Sequence, residues 1–311
     1  MAGLFTPEFL SALCFGSVTA AVPLLLSGLG EQMSVKAGVM NIGLEGTVLA
    51  GAYCGFLVAL TTGSPWLGFL GGAAAGIALG AVMAVFCVWF AMNQTIIGIA
   101  LTLSMQGLTS LLYYFQFSRI YPRLPAAQRL PIPFLSDLPV VGNGLFNHHP
   151  LVYLSVALVF GFLYLYGSTF LGLNFVAAGD KPAALDAAGI DVMVTRSIAV
   201  TGSGMLAGIG GAYMSEVSAG LFIPLMSAGA GYIGIVLAML ARGRPQWVLY
   251  GAVLFGACLS ATTALQVAGV NVPTDIIQML PFVMVMVVLV IFGRRASPPA
   301  ALGLPYLRGA R

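Results

Sequence analysis

The chain has 311 residues, 59% hydrophobic and only 7% charged, with a mean hydropathy of +1.01. Ordinary globular chains carry about 25% charged residues, so this composition excludes a soluble domain. The net charge of +3 carries no nucleic-acid signal, because the basic residues lie between apolar runs and sort by membrane side.

A spanning helix needs about 20 apolar residues. The apolar runs fall near 8–30, 44–62, 66–90, 95–116, 150–170, 197–217, 222–241, 247–268 and 275–293. They predict an all-α, polytopic membrane helix bundle of about nine transmembrane helices, forming a single transmembrane domain over 1–311. The first run lacks the basic flank and cleavage site of a signal peptide and is expected to be a permanent span. Cys14, Cys54, Cys87 and Cys258 lie singly in apolar runs and read as small buried hydrophobes.

Between the first two runs, Asn41-Ile-Gly-Leu-Glu-Gly46 holds an amide and a carboxylate four residues apart. If helical, Asn41 and Glu45 share a face. The two glycines also allow a broken helix, which is tolerated at membrane depth where it lines a cavity. A turn at the cytoplasmic surface with a solvated Glu45 is the other reading, and both stay open. Along the third run Gly68, Gly72, Gly76 and Gly80 recur every four residues, and Gly204 and Gly208 repeat the pattern in the sixth. Such stripes let helices approach closely.

Asn93-Gln94-Thr95 opens the fourth run, where it can cap the helix at the interface, and Gln106 and Gln266 lie deeper. The segment 117–149 carries Pro122, Pro125, Pro131, Pro133 and Pro139 and is expected to be an extended external loop. Its adjacent His148 and His149 lack a third ligand nearby, so no metal site is expected.

A polar island, 178–191, interrupts the apolar pattern. Asp180 can cap a short helix, Pro182 suits its first turn, alanines fill it and Gly189 can close it. Two turns of small-faced helix cannot bury a core alone, so the island reads as a docking knob for a partner. Further on, Glu216 ends the sixth run, where it can be solvent-exposed or contact a delivered ligand. Gln278 lies three residues before Pro281 in the last run. Polar groups at this depth face a cavity, a partner or another helix. Asn41, Glu45, Asn93, Gln94, Gln106, Glu216 and Gln278 are therefore candidates for the substrate path or for helix–helix hydrogen bonds.

Arg294, Arg295, Arg308 and Arg311 follow the last run, so the tail 294–311 is expected to be cytoplasmic. Nine spans then put the N-terminus outside and Lys36, Lys181, Arg196, Arg242 and Arg244 inside. Arg119, Arg123 and Arg129 are the exceptions, in the long external loop. The island is thereby cytoplasmic. No GxxxxGK[ST] loop, HExxH, Ser/His/Asp set or train of buried carboxylates is present, which argues against an ATPase, a membrane hydrolase and a proton relay. The chain reads as no enzyme, with no catalytic residues and no cofactor.

Three segments carry a resemblance. Ala37-Gly-Val-Met-Asn-Ile-Gly-Leu-Glu-Gly46, Gly179-Asp-Lys-Pro-Ala-Ala-Leu-Asp-Ala-Ala-Gly-Ile190 and Pro281…Phe292-Gly-Arg-Arg295…Pro299-Ala-Ala-Leu-Gly-Leu-Pro-Tyr306 resemble inner-membrane permease subunits of ABC importers. The wider group serves ribose-type sugars and branched-chain amino acids, and the closest likeness is to the smaller permease of the nucleoside branch. The resemblance covers nearly the whole chain. It implies a permease domain over 1–311 and a coupling helix formed by Asp180, Pro182, Ala183, Ala184, Leu185, Asp186, Ala187, Ala188 and Gly189. That helix would seat in a groove of a cytoplasmic ATP-binding subunit.

The family's frequent Ala-Leu-Asn reads Ala100-Leu101-Thr102 here, which places Thr102 on the candidate path. Further implied are alternating access for nucleosides or related purines, a second homologous permease forming a heterodimer, and a periplasmic or lipoprotein substrate-binding protein. The implied setting is the lipid of a bacterial inner (cytoplasmic) membrane. A sugar or branched-chain amino acid is the alternative cargo, and an ATP-independent channel or secondary transporter is an alternative class.

Overall fold

The computed structural model describes residues 7–118, 120–133, 136, 141–267, 279, 283–287, 290 and 298–306. Most of the 275–293 run, including Gln278 and Pro281, lies outside the described residues, as do Arg119, Arg294, Arg295, Arg308 and Arg311.

Helix α1 spans Pro7–Lys36, 30 residues or about 45 Å, with Pro23 inside it. Ser17, Thr19 and Ser27 donate to the carbonyls of Leu13, Phe15 and Pro23 four residues earlier, so these hydroxyls need no outside partner. Helix α2, Leu44–Thr62, is the most enclosed span and ends at Gly63 in the left-handed region. Helix α3, Pro65–Met83, starts on a first-turn proline and runs on as a π-helical turn, Ala84–Trp89. Helix α4, Gln94–Phe117, is capped by Asn93, whose Oδ1 accepts from the amides of Thr95 and Ile96.

The loop that follows contains β1 (Leu130–Pro131) and the short helix α5 (Val141–Leu145). It returns through β2 (Asn147–His148), which pairs antiparallel with β1. Then come α6 (Pro150–Ser168), α7 (Phe170–Asp180), α8 (Pro182–Ala187) and α9 (Val192–Tyr213), the last extended by a π-helical turn, Met214–Ser218. Helices α10 (Ala230–Leu240) and α11 (Pro245–Val267) complete the order. Among the described residues, seven helical stretches are long and apolar enough to cross a membrane.

The glycine stripes of α3 and α9 face each other. A Cβ on Gly76 would run into the Gly204 carbonyl, and one on Gly208 into that of Gly72. Backbone-to-backbone contact replaces side-chain interdigitation here, as suits helices meeting in lipid.

Two runs differ from their sequence expectation. The 222–241 run is not one span: α10 has 11 residues, about 16 Å, roughly half the ~30 Å hydrocarbon core. Leu225, Ala228 and Gly229 take φ values of 63°, 46° and 88°, which an α-helix cannot accommodate. The irregular segment before α10 is enclosed by protein, with Phe222 fully buried against the rings of Tyr53, Phe56 and Tyr113. The 150–170 run breaks at Thr169, whose Oγ1 accepts from the Gly172 amide and starts α7. Helix α7 straddles a run and the polar island, so neither pattern reveals it. Its Phe170, Leu171 and Leu173 are exposed while Phe175, Ala178 and Gly179 pack inward.

At the end of the bundle that carries the loop, His148 stacks on Phe15 at 4.5 Å, and its Nε2–H donates to the Gly144 carbonyl. Arg129 covers the Phe15 ring at 4.6 Å. His149 Nδ1 accepts from the Leu151 amide at the start of α6, between Trp66 and Phe69. Burial holds both imidazoles below the ordinary value of 6.5; for His148 the Gly144 bond opposes this and Arg129 adds to it. The unfolded chain therefore takes up protons first. The stabilisation is complete above that value and declines as pH falls through it toward the depressed folded values. Thermal stability should drop between about pH 7 and pH 5, and His149→Asn, which keeps a capping acceptor without titrating, should flatten the profile in a thermal melt.

Candidate coupling and pathway sites

The polar island folds as a knob on a buried foot. Leu185 is the foot, packed with Ala178, Val192 and Tyr306. Ala183, Ala184, Ala187, Ala188 and Gly189 are exposed and Pro182 and Asp186 half-exposed, so the outward surface of α8 and its end is mostly small side chains. Pro182 occupies the first turn, and Gly189 follows the helix at φ 84° with its amide donating to Asp186 O. Asp180 does not cap α8: it is the last residue of α7, and Lys181 stands at the cap position with no side-chain bond. The capping aspartate of the island is Asp191, whose Oδ1 accepts from Val194 N at the start of α9.

The C-terminal segment 298–306 straps this knob to the bundle. The amide of Ala301 donates to Gly179 O at 2.8 Å and that of Gly303 to Gly38 O at 3.0 Å. Arg196, 2% exposed, donates from one guanidinium nitrogen to Leu304 O (2.8 Å) and from the other to Ala178 O (3.0 Å). One buried cation thus joins the tail, the end of α7 and the start of α9. Sequence reading placed Arg196 only as an inside charge; its position a turn into an apolar helix was the available signal.

From Gly38 the chain leads into the interior. The segment 37–43 folds back alongside the last turns of α1, with Ser34 Oγ donating to Val39 O. The Asn41 backbone N–H donates to Glu31 Oε1 at 2.8 Å, and Ser203 Oγ donates to Oε2 at 3.2 Å. Met40 N donates to Gln94 Oε1 at 2.8 Å, which ties the loop to α4. Asn41 is therefore in a non-helical turn and Glu45 in the first turn of α2, and they do not share a helical face.

Glu45 is not a solvated surface group. It is 2% exposed, and its two oxygens accept from the amides of Gly229 (2.8 Å) and Gly231 (2.7 Å) at the N-terminus of α10. A short helix starting inside a membrane bundle leaves orphan N–H groups and a positive dipole end, and a carboxylate answers both. A Cβ on Gly231 would fall 2.5 Å from the Glu45 backbone, so only glycine permits the approach. Glu31 and the N-terminus of α10 were missed from sequence. Glu31 ends an apolar run and reads as a surface residue until α1 is seen to continue to Lys36.

The remaining pathway candidates separate. Gln94 and Thr102 lie on the α4 face that meets this loop, and a Cβ on Gly46 would fall 2.7 Å from Thr102 Cα. The side-chain amide atoms of Asn41 and the hydroxyl of Thr102 are buried without hydrogen-bond partners among the described residues. Gln106 is half-buried one turn further along, and Asn93 is an exposed cap. Glu216 is not solvent-exposed: it is 3% exposed in the π-helical turn after α9, against Gly55 and Gly68. Gly55 lies nine residues beyond Gly46, about 14 Å along α2, so Glu216 is not part of the Asn41 cluster.

An all-α polytopic bundle with a half-length helix capped by a buried carboxylate, and a knob strapped to its end, defines a multi-pass membrane protein. Residues 13–289 match the family described as branched-chain amino acid transport system / permease component, and the chain belongs to that family. It is accordingly a multi-pass transport permease of the cytoplasmic membrane. A Haloferax volcanii protein provisionally designated a glucose ABC transporter permease, TsgC13, is 39% identical over 80% of this chain and 76% of its own. The guanosine ABC transporter permease NupQ of Bacillus subtilis is 30% identical over 98% and 99% of the two chains. The nucleoside ABC transporter permease NupC of Lactococcus lactis subsp. cremoris is 29% identical over 93% and 94%.

Proposed function

We propose that this chain is one of two homologous permease subunits of an ATP-driven importer for nucleosides or related purines. The observation that carries the coupling role is the geometry of α8: an exposed, small-residue surface on a buried leucine, held by Arg196 to the tail, which bonds in turn to the 37–43 loop leading into Glu45. In this reading the basic end of the bundle, with Lys36, Lys181, Arg196, Arg242 and Arg244, is cytoplasmic, as the positive-inside rule requires. A separate ATP-binding subunit receives α8 in a groove, and a substrate-binding protein delivers cargo to the opposite end. Nucleotide binding moves α8, and the strap and loop carry that movement to the Glu45–α10 joint. Asn41, Gln94, Thr102 and Gln106 face the path formed with the second permease.

Full-length similarity to NupQ and NupC supports the nucleoside cargo, and similarity to TsgC13 favours a sugar as the second reading. Uptake of labelled guanosine, other nucleosides, nucleobases and glucose in a strain deleted for this chain tests both. Unchanged uptake of every nucleoside and nucleobase, with the partner subunits normally expressed, would sink the purine reading; loss of glucose uptake alone would establish the sugar.

Ala184→Trp tests the knob. The site is exposed, so the fold and melting temperature should hold, while a docking penalty of about 1.4 kcal/mol weakens ATPase association about tenfold. Pull-down of the ATPase and coupled uptake read this directly. Gly189 is the poorer probe, because its φ of 84° strains any other residue irrespective of docking.

A further inference from the structure

Close to the knob, a cavity of about 150 Å³ opens where α1, α7 and α10 reach the same end of the bundle. That volume is the liquid share of roughly five water molecules, enough for a phosphate group. Lys36, Arg242, Asp180 and Gln32 supply its polar lining, and Pro298 and Pro299, the first residues of the strap, close one side. The Lys36 ammonium is held 3.8 Å over the Tyr166 ring. It also lies against the turn at Gly243, where a Cβ would fall 3.2 Å from Nζ.

A further observation points to an occupant. Gln32 is 1% exposed, yet both atoms of its amide lack a hydrogen-bond partner among the described residues. Such a group is costly in the interior unless something pairs with it. Arg242 takes φ 49°, a conformation a non-glycine residue holds at a cost of about 1–2 kcal/mol. That turn closes α10 in the left-handed conformation common at helix ends, so the Gln32 amide, without a partner among the described residues, is the observation that points to an occupant.

We propose that this cavity binds a phosphate monoanion. Lys36 and Arg242 supply two positive charges and Asp180 one negative, so the lining carries one net positive charge, matching a phosphodiester. The Gln32 amide N–H₂ donates to a phosphate oxygen, and Lys36 and Arg242 flank it. Lining helices that end together put the cavity at headgroup level, so the phosphate can come from a phospholipid or from solution. An occupant would touch α1, α7, α10 and the tail together, and would brace the strap that holds α8.

The test uses the full chain alone in lipid nanodiscs, so it depends on neither the ATPase partner nor the cargo. The wild type should melt at higher temperature in discs containing phosphatidylglycerol than in phosphatidylcholine discs if the source is a lipid. It should melt higher on adding inorganic phosphate to phosphatidylcholine discs if the source is free anion. Either response supports the site provided Arg242→Gly and Lys36→Met each weaken the apparent affinity by about tenfold, the worth of one charge-assisted bond. Arg242→Gly relieves the backbone strain, so its melting temperature without the anion should be equal to or above the wild type. No response to either anion, or responses unchanged in both variants, overturns the proposal.

Discussion

Glu45→Ala is expected to abolish transport and to destabilise the bundle by about 3–6 kcal/mol, at about 1.5–3 kcal/mol for each of two hydrogen bonds to a carboxylate. Two charge-assisted hydrogen bonds disappear, and the amides of Gly229 and Gly231 are left facing a methyl group. Glu45→Gln keeps one acceptor but turns an N–H₂ group toward the other amide, so it should fall between wild type and alanine. Melting temperature and uptake should follow the same order. Equal behaviour of Gln and Ala would show that the cap contributes nothing, and normal transport by both would remove Glu45 from the mechanism.

Arg196→Met should have the next largest effect, and one of a different kind. Methionine fills much of the arginine volume, so packing among α7, α9 and the tail survives while the bonds to Leu304 O and Ala178 O are lost. Bonds from a charged donor are each worth about 1.5–3 kcal/mol, and the tail keeps its backbone bonds from Ala301 and Gly303. The expected result is a chain that inserts and melts cooperatively, with a loosened strap. ATP hydrolysis should continue while uptake falls at least about tenfold, the consequence of losing some 1.4 kcal/mol of coupling. Uptake and hydrolysis falling in parallel would instead indicate general destabilisation. Limited proteolysis of the tail gives an independent reading, because a loosened strap is cut sooner.

The two substitutions act at opposite ends of one continuous set of contacts. It runs from α8 through Leu185 and the tail to Gly38, and from there through the 37–43 loop to Glu31, Glu45 and α10. Combining them should therefore give less than the summed loss, as expected for residues in one network.

The sequence by itself determined the class of fold, most of the spans and the knob. These depend on local or additive properties: apolar run length, a proline-opened stretch of alanines, and glycines repeating at helical spacing. It also marked Asn41 and Glu45 as unusual, since polar groups are rare at such depth. Only the tertiary structure decided what Glu45 does, because its partners are backbone amides more than 180 residues away and carry no side-chain signature. The same holds for α10: its residues are apolar enough for a span, yet backbone conformation at Leu225, Ala228 and Gly229 halves the helix. Asp180 illustrates the converse. Its residue type suits a cap, but α7 packs through Ala178 and Gly179 and so continues to Asp180, leaving Asp191 to cap the next long helix. Hydropathy selects what enters the membrane; where helices break inside it is set by which buried groups can satisfy the exposed backbone.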